Sequence, residues 1–304
     1  MGNTQTAKGK LISGIRDDAA SQSSHLQVEV EGSRFQIRSG KNNVFWDHYS
    51  SGAWEPDTRA IFSRFIDAQH SYIDIGAWIG PTLLLGCPLA KRAYGIEPDP
   101  IAYSELVENI DSNRPITSNV QLFNICIAAE SGKKAFGNRG DGGDSMSSLL
   151  FSDEKTNWTV DGMTFGEWID QNGIDDCNFI KIDIEGGEYT VLPTMAAYIT
   201  KHRPTLHLSL HPFCLGGRSV RSVAAKIKRS AYRLKCTVGI ISVIGTYRYV
   251  YDPRGKVPSG IRTFRSRIRD FLAKVSWKPA VLLLTCLYSM GGGDDTLVVT
   301  DQRW

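Results

Sequence analysis

The run Ser71-Tyr-Ile-Asp-Ile-Gly-Ala-Trp-Ile-Gly-Pro81 limits the possible folds of this chain more than any other stretch. A hydrophobic strand carries Asp74 near its end, Gly76 and Gly80 mark a tight turn, and Pro81 stands where a helix would begin. Strand, turn and helix in that order form the ligand crevice of a doubly wound parallel sheet. Short apolar runs separated by helical stretches repeat the theme, with candidate strands at 72–76, 93–97, 119–125, 178–184, 204–210, 238–244, 246–251 and 295–300. At Ile96-Glu97-Pro98-Asp99-Pro100, Pro98 stops a strand, Asp99 caps and Pro100 suits the first helical position, predicting a helix through about residue 110. The expected fold class is α/β, a doubly wound, Rossmann-like and mostly parallel sheet.

The turn also narrows the ligand. A dinucleotide site wants G-x-G-x-x-G, whose second glycine admits a pyrophosphate, but that position is Trp78 and the third is Pro81. S-adenosylmethionine carries no phosphate, so one glycine for close approach and one for helix packing suffice. Glu97 ends the second strand, where a carboxylate can accept both ribose hydroxyl protons, and Pro98 beside it can pack on the adenine edge. The expected cofactor contacts are Asp74, Gly76, Ala77, Trp78, Gly80, Glu97 and Pro98, with a further region at 124–127. The plainer alternative is that the glycines only turn the chain and Glu97 is a surface carboxylate.

Composition excludes disorder as the main state: 22% of the 304 residues are charged, 41% are hydrophobic and the mean hydropathy is -0.22. The small net charge hides a polarity, because residues 1–200 carry a net −11 and residues 201–304 a net +14. That basic third faces either an acidic partner or only solvent. Part of it is an insertion, 253–292, in which Ile261, Phe264, Ile268, Phe271, Leu272 and Val275 fall at helical spacing opposite arginines. The apolar run 280–287 is too short to span a membrane. Residues 1–24 read as a flexible polar tail without a signal-peptide core, although Met1-Gly2 with Thr6 fits the bare myristoylation pattern. Residues 25–68, with partial alternation over 28–37, an aromatic cluster (Phe45, Trp46, Tyr49, Trp54) and a helical run, read as an N-terminal layer. The main domain is 69–304. Six scattered cysteines suggest neither a zinc site nor a disulfide framework, so the expected setting is cytoplasmic, with peripheral membrane contact as an addition to it.

Four stretches occur together and in order: 72–80, Tyr94-Gly-Ile-Glu-Pro-Asp-Pro100, Met146-Ser-Ser-Leu-Leu150, and Phe179-Ile-Lys-Ile-Asp-Ile-Glu-Gly-Gly-Glu188 followed by Val191-Leu192. In these the chain resembles the FkbM family of class I methyltransferases, the last stretch being the most distinctive. The resemblance spans most of 45–300 and leaves out the basic insertion. It implies a seven-stranded sheet with an antiparallel last strand, S-adenosylmethionine as methyl donor, and O-methylation of a sugar, glycolipid or natural-product hydroxyl.

In the most distinctive stretch, Ile180, Ile182 and Ile184 share one face and Lys181, Asp183 and Glu185 the other. A strand covered on both sides normally reads apolar throughout, so three charges ask for a polar cleft at its carboxyl end. The next candidate strand adds His207, Ser209 and His211 on one face. The candidate catalytic residues are therefore His211, Asp183, Glu185 and His207, with His211 as first choice for the base that takes a hydroxyl proton and Asp183 as second. A structural Lys181–carboxylate pair and buried structural histidines are the competing readings. A divalent cation is conceivable on the same groups but not favoured, since no tight ligand motif is present. Ser147 and Ser148 are minor candidates for substrate hydrogen bonds. Two other functions stay open: methylation of RNA, the less favoured partner for want of an aromatic basic platform, and a membrane-surface or oligomerisation role for 261–275.

Overall fold

Local rules account for the elements at the start of the chain. In β1 (His25–Val30) and β2 (Ser33–Arg38), which pair antiparallel, Val28, Val30, Phe35 and Ile37 alternate with exposed or half-buried residues. Helices α1 (Asn43–Ser50) and α2 (Thr58–Phe65) add Trp46, Tyr49, Ile61, Phe62 and Phe65 to the same buried cluster. Two asparagines fasten this hairpin to the main domain. The Arg38 N–H donates to Asn109 Oδ1 at 2.7 Å, and Gln36 exchanges two hydrogen bonds with the amide of Asn113. Side chains thereby satisfy edge-strand groups that would otherwise lack partners.

The computed structural model describes residues 25–30, 32–138, 156–216, 222–256 and 295–304. After the hairpin layer, β3 (Ser71–Ile75) leads into α3 (Pro81–Gly86), and β4 (Arg92–Ile96) into α4 (Pro100–Asp111) and α5 (Arg114–Thr117). Asp99 caps α4 as expected, accepting from the N–H groups of Ile101 and Ala102, and Pro100 takes the first helical position. Next come β5 (Val120–Phe123), β6 (Cys126–Ile127), β7 (Gly132–Asn138), β8 (Thr156–Met163), α6 (Phe165–Asn172) and β9 (Cys177–Ile182). Then follow α7 (Glu188–Val191), α8 (Ala196–His202), β10 (Thr205–Leu210), α9 (Val223–Ile244), β11 (Tyr249–Tyr251) and β12 (Asp295–Thr300).

Seven strands form one sheet in the order β11-β12-β10-β9-β3-β4-β5, in which β12 runs antiparallel to both neighbours and the other paired strands are parallel. One buried cluster, including Ile73, Ile180, Leu206, Trp168 and Ile240, covers one face. The hairpin layer, α3 and α4 cover the other through Phe62, Tyr72, Leu83, Leu106 and Phe179. The carboxyl ends of β3, β4, β9 and β10 open toward one cleft.

Two expectations need correction. Residues 238–244 are the end of α9 and not a strand. The run Val238-Gly-Ile-Ile-Ser-Val-Ile244 is apolar enough to suit a strand, but Cys236, Ile240 and Val243 are buried at helical spacing while Val238 is exposed. A separate three-stranded sheet, β6-β8-β7, stands at 126–127, 132–138 and 156–163, where no strand was expected, and it takes in the start of the stretch 137–143, whose four glycines read from sequence as a flexible loop. Gly137 and Asn138 belong to β7. The remainder of that loop with Ser147 and Ser148, the tail 1–24, the arginine helix 261–275 and the run 280–287 lie outside the described residues. No helix among the described residues is long and apolar enough to cross a membrane.

Candidate active site

The cleft is a cavity of about 300 Å³ built by backbone on one side and by charged side chains on the other. On the backbone side, Gly76 adopts φ +87°, and a Cβ there would lie 1.9 Å from the carbonyl oxygen of Asp183. Only glycine allows β3 and the end of β9 to meet this closely. Trp78 follows at φ 49°, an uncommon conformation for a bulky residue. Its N–H donates to Glu97 Oε2 at 2.9 Å while the Asp99 N–H donates to Oε1 at 2.8 Å, so the turn after β3 and the turn after β4 share one carboxylate. Burial pushes the Glu97 carboxyl up to about 8, against the two N–H bonds that pull it down. Asn124 donates to the carbonyls of Glu97 and Pro98 and fixes that turn. Ala77, Pro98, Cys126, Ile127 and Phe136 complete this apolar half.

The other half gathers Lys181, Asp183 and Glu185 from the end of β9, Ser209 and His211 from β10 and just beyond it, and Glu55 from the hairpin layer. Lys181 is buried, with its Nζ 3.1 Å from Asp183 Oδ2 and 3.9 Å from Asp74 Oδ1. Burial opposes the Asp183 carboxylate, but Lys181 and His211 hold it below the usual range. His211 sits between carboxylates: Nδ1 is 3.1 Å from Glu188 Oε1, and Nε2 is 3.6 Å from Asp183 and 3.7 Å from Glu185. Burial disfavours the imidazolium, yet the Glu188 hydrogen bond and the surrounding negative charge push it up to about 9. Burial raises Glu188, with the His211 bond offsetting it. Glu185 has φ 50° and Glu55 φ 41°, so three of the four non-glycine residues with positive φ among the described residues line this cavity. Strained backbone of this kind concentrates at functional sites.

The structure thus brings Gly76, Ala77, Trp78, Glu97, Pro98, Asp183, Glu185 and His211 to one cavity. Three expected residues stand behind its wall. Asp74 is fully buried, and its Oδ2 accepts from the hydroxyls of Tyr72 and Thr82, both at 2.7 Å, so its charge is spent on Lys181 and on fixing the turn. A Cβ on Gly80 would come within 2.8 Å of Leu106, so this glycine serves helix packing. His207 is packed by Phe62 and Phe179, neither ring nitrogen has a hydrogen-bond partner among the described residues, and burial pushes it down to about 3. It is a neutral core residue because β10 is buried on both faces at that level, whereas His211 lies past the strand end. The competing reading of Lys181 as an internal ion pair is met as well.

Sequence reasoning did not find Glu55, Phe45 or Trp54 on the cavity wall, nor Glu188 behind His211. Glu188 was part of the distinctive stretch and carried a signal; the other three reach the site only through tertiary packing. For a metal, Asp183, Glu188 and His211 each offer a ligand atom within 4.8 Å of the others. A cation there would compete with the Ile184 N–H and His211, which Glu188 already engages, and with Lys181 on Asp183.

Residues 74–234 match the family model described as the methyltransferase FkbM domain. Among solved structures, the chain is similar to a methyltransferase FkbM from Methylobacillus flagellatus KT, at 18% identity and a TM-score of 0.34, covering 57% of this chain and 46% of that one. It is also similar to TYW2 of M. jannaschii in complex with AdoMet, at 12% identity and TM-score 0.33, covering 73% of this chain and 76% of that one. Trm5b from Pyrococcus abyssi gives 12% identity and TM-score 0.36, covering 79% of this chain and 54% of that one. The chain therefore spans about half the length of the Methylobacillus protein. No curated protein matches it.

Proposed function

The chain belongs to the FkbM methyltransferase family, and from that premise we propose that it is an S-adenosylmethionine-dependent O-methyltransferase acting on a hydroxyl of a sugar, glycolipid or natural product. The observation that carries this reading is the convergence of Glu97 with Asp183, Glu185 and His211 on one cavity. The residues present fit the cofactor. Glu97 would hold the ribose hydroxyls, Pro98, Ile127 and Phe136 the adenine, and the Gly76-Ala77-Trp78 turn the amino-acid portion. Bound there, S-adenosylmethionine supplies a methyl group on a sulfonium sulfur.

With Glu97 protonated at neutral pH, the lining still holds three acids, Glu55, Asp183 and Glu185, against two bases, Lys181 and His211. An acidic wall favours a cationic methyl donor and a neutral acceptor, and it opposes a phosphate close to the reacting atoms. A sugar-type hydroxyl therefore suits this wall better than RNA does. Methyl transfer is an in-line displacement, so alignment in a dry site supplies much of the rate. Phe45, Trp54 and Trp78 give the cavity an apolar wall on one side.

The acceptor hydroxyl must also lose its proton. Because His211 holds its own proton at neutral pH, we assign proton acceptance to the ionised Asp183. His211 then orients acceptor and carboxylate as a donor, and it takes protons itself only on the alkaline side. This reverses the order expected from sequence, because the carboxylates around the imidazole decide its charge.

The direct test combines calorimetry of S-adenosylhomocysteine binding with transfer of labelled methyl groups to glycolipid, polysaccharide and RNA fractions of the host. Cofactor-product binding with label in a carbohydrate-bearing fraction is expected. Label confined to RNA would overturn the acceptor class, and absent product binding would overturn the methyltransferase reading.

A further inference from the structure

Trp54 and Glu55 reach the cavity from outside the sheet, on the connection between α1 and α2. The Glu55 Oε2 accepts from the Thr58 hydroxyl at 2.7 Å, and Oε1 receives no hydrogen bond from a described residue. The charges that act on it most are Lys181 and Asp183 at the end of β9 and Asp74 on the neighbouring β3. This carboxylate therefore belongs to the half of the cavity that holds Asp183 and His211. Beside it the rings form a continuous wall: Phe45 lies 5.2 Å from Trp54 and 4.5 Å from Trp78, both edge-on. Tyr49 stacks on Phe45 at 5.7 Å and donates its hydroxyl to the Pro81 carbonyl at 2.8 Å, which ties the wall to the start of α3. Across from it, Ser209 and Thr296, paired between β10 and β12, add hydroxyl groups to the lining.

A pyranose ring presents an apolar C–H face and a rim of hydroxyls. Aromatic rings cover the first, and carboxylates accept strong, short hydrogen bonds from the second. We propose that the hairpin layer supplies the acceptor subsite, with Glu55 accepting ring hydroxyls of a pyranose whose apolar face lies on Trp54, a ring that Phe45 supports edge-on. This rests on the methyltransferase reading and specifies its acceptor as a neutral sugar ring. The positive φ of Glu55 fits the role, since it aims a side chain of the N-terminal layer into a cleft built by the main sheet. Acceptor choice then resides in the layer and not in the strand ends that carry the chemistry.

Saturation-transfer NMR on the full chain, saturated with S-adenosylhomocysteine, tests this. The probes are methyl glycosides of glucose, rhamnose and xylose, with a uridine tetranucleotide as the competing class. Saturation of at least one glycoside is expected in the wild type, falling by about fivefold or more in Glu55→Ala and in Trp54→Ala. The milder Trp54→Phe, which keeps a ring, should retain about half the signal. Product affinity within about twofold of wild type in each variant shows that the fold and the cofactor side are intact. Undiminished glycoside signals in Glu55→Ala and Trp54→Ala would overturn the proposal. So would a wild type that binds S-adenosylhomocysteine and the tetranucleotide but no glycoside. Failure of the wild type to bind S-adenosylhomocysteine would instead remove the methyltransferase reading beneath it.

Discussion

The two halves of the cavity are made differently. The half around Gly76, Glu97 and Pro98 is shaped by backbone: two strand-to-helix turns joined through one carboxylate, within about twenty-five residues of sequence. The half around Asp183, His211 and Glu55 is assembled from side chains of three distant segments and is held together by charge. A backbone-built half has little freedom to vary, because its geometry fails if an atom is added. A side-chain-built half can change its chemistry without changing the sheet. The first suits a ligand common to many enzymes and the second an acceptor particular to one.

The sharpest break in this comparison is Gly76→Ala. With a Cβ set 1.9 Å from the Asp183 carbonyl oxygen at φ +87°, both halves must shift. We expect a loss of roughly 3 kcal/mol or more in denaturant unfolding, with S-adenosylhomocysteine affinity down more than about 100-fold. Wild-type values would mean the two strand ends are not held as close as described.

Asp183→Asn probes the side-chain half alone. Turnover should fall about 100-fold while product affinity stays within about threefold, and full turnover would move the proton acceptor elsewhere. Glu97→Ala is its mirror image. It removes the acceptor of two N–H groups, and calorimetry should show binding of S-adenosylhomocysteine weakened by about 10- to 100-fold. A change smaller than twofold would separate Glu97 from the ribose.

The remaining test is a pH dependence. His211 binds its proton more tightly in the folded chain, so the stability it contributes is complete below about pH 6.5 and lost as pH rises through about 9. Between pH 6.5 and 9.5, wild type should lose up to roughly 3 kcal/mol relative to His211→Gln. Parallel stability curves would show that the surrounding carboxylates do not hold the imidazolium.

What could be read from the sequence was local. The Gly76 turn and the Asp99 cap depend on residues a few positions apart, and both stand where expected. The grouping of Asp183 and Glu185 followed from strand alternation. Burial depth was not local. The same alternation put His207 in the cleft with His211, but only the packing of Phe62 from the N-terminal layer decides that His207 is sealed in the core. Asp74 likewise turned inward because Tyr72, Thr82 and Lys181 surround it. For 238–244, an apolar β-branched run gave no periodicity to separate a buried helix from a strand. Glu55 was illegible for the plainest reason: more than 120 residues separate it from Asp183, and nothing in its own neighbourhood announces that the two line one cavity.

The asparagine clamp on α4 bears on how the protein can be divided. Asn109 is buried and serves three segments, accepting from Arg38, donating to the Ile79 carbonyl and sitting on the helix that Asp99 starts. Cutting the chain before residue 69 would leave Asn109 and Asn113 facing water where a strand edge had been. It would also uncover the faces of Tyr72, Leu83 and Phe179. A chain shortened to 69–304 is therefore expected to lose solubility relative to one that keeps the hairpin, which sedimentation of the two expressed forms checks.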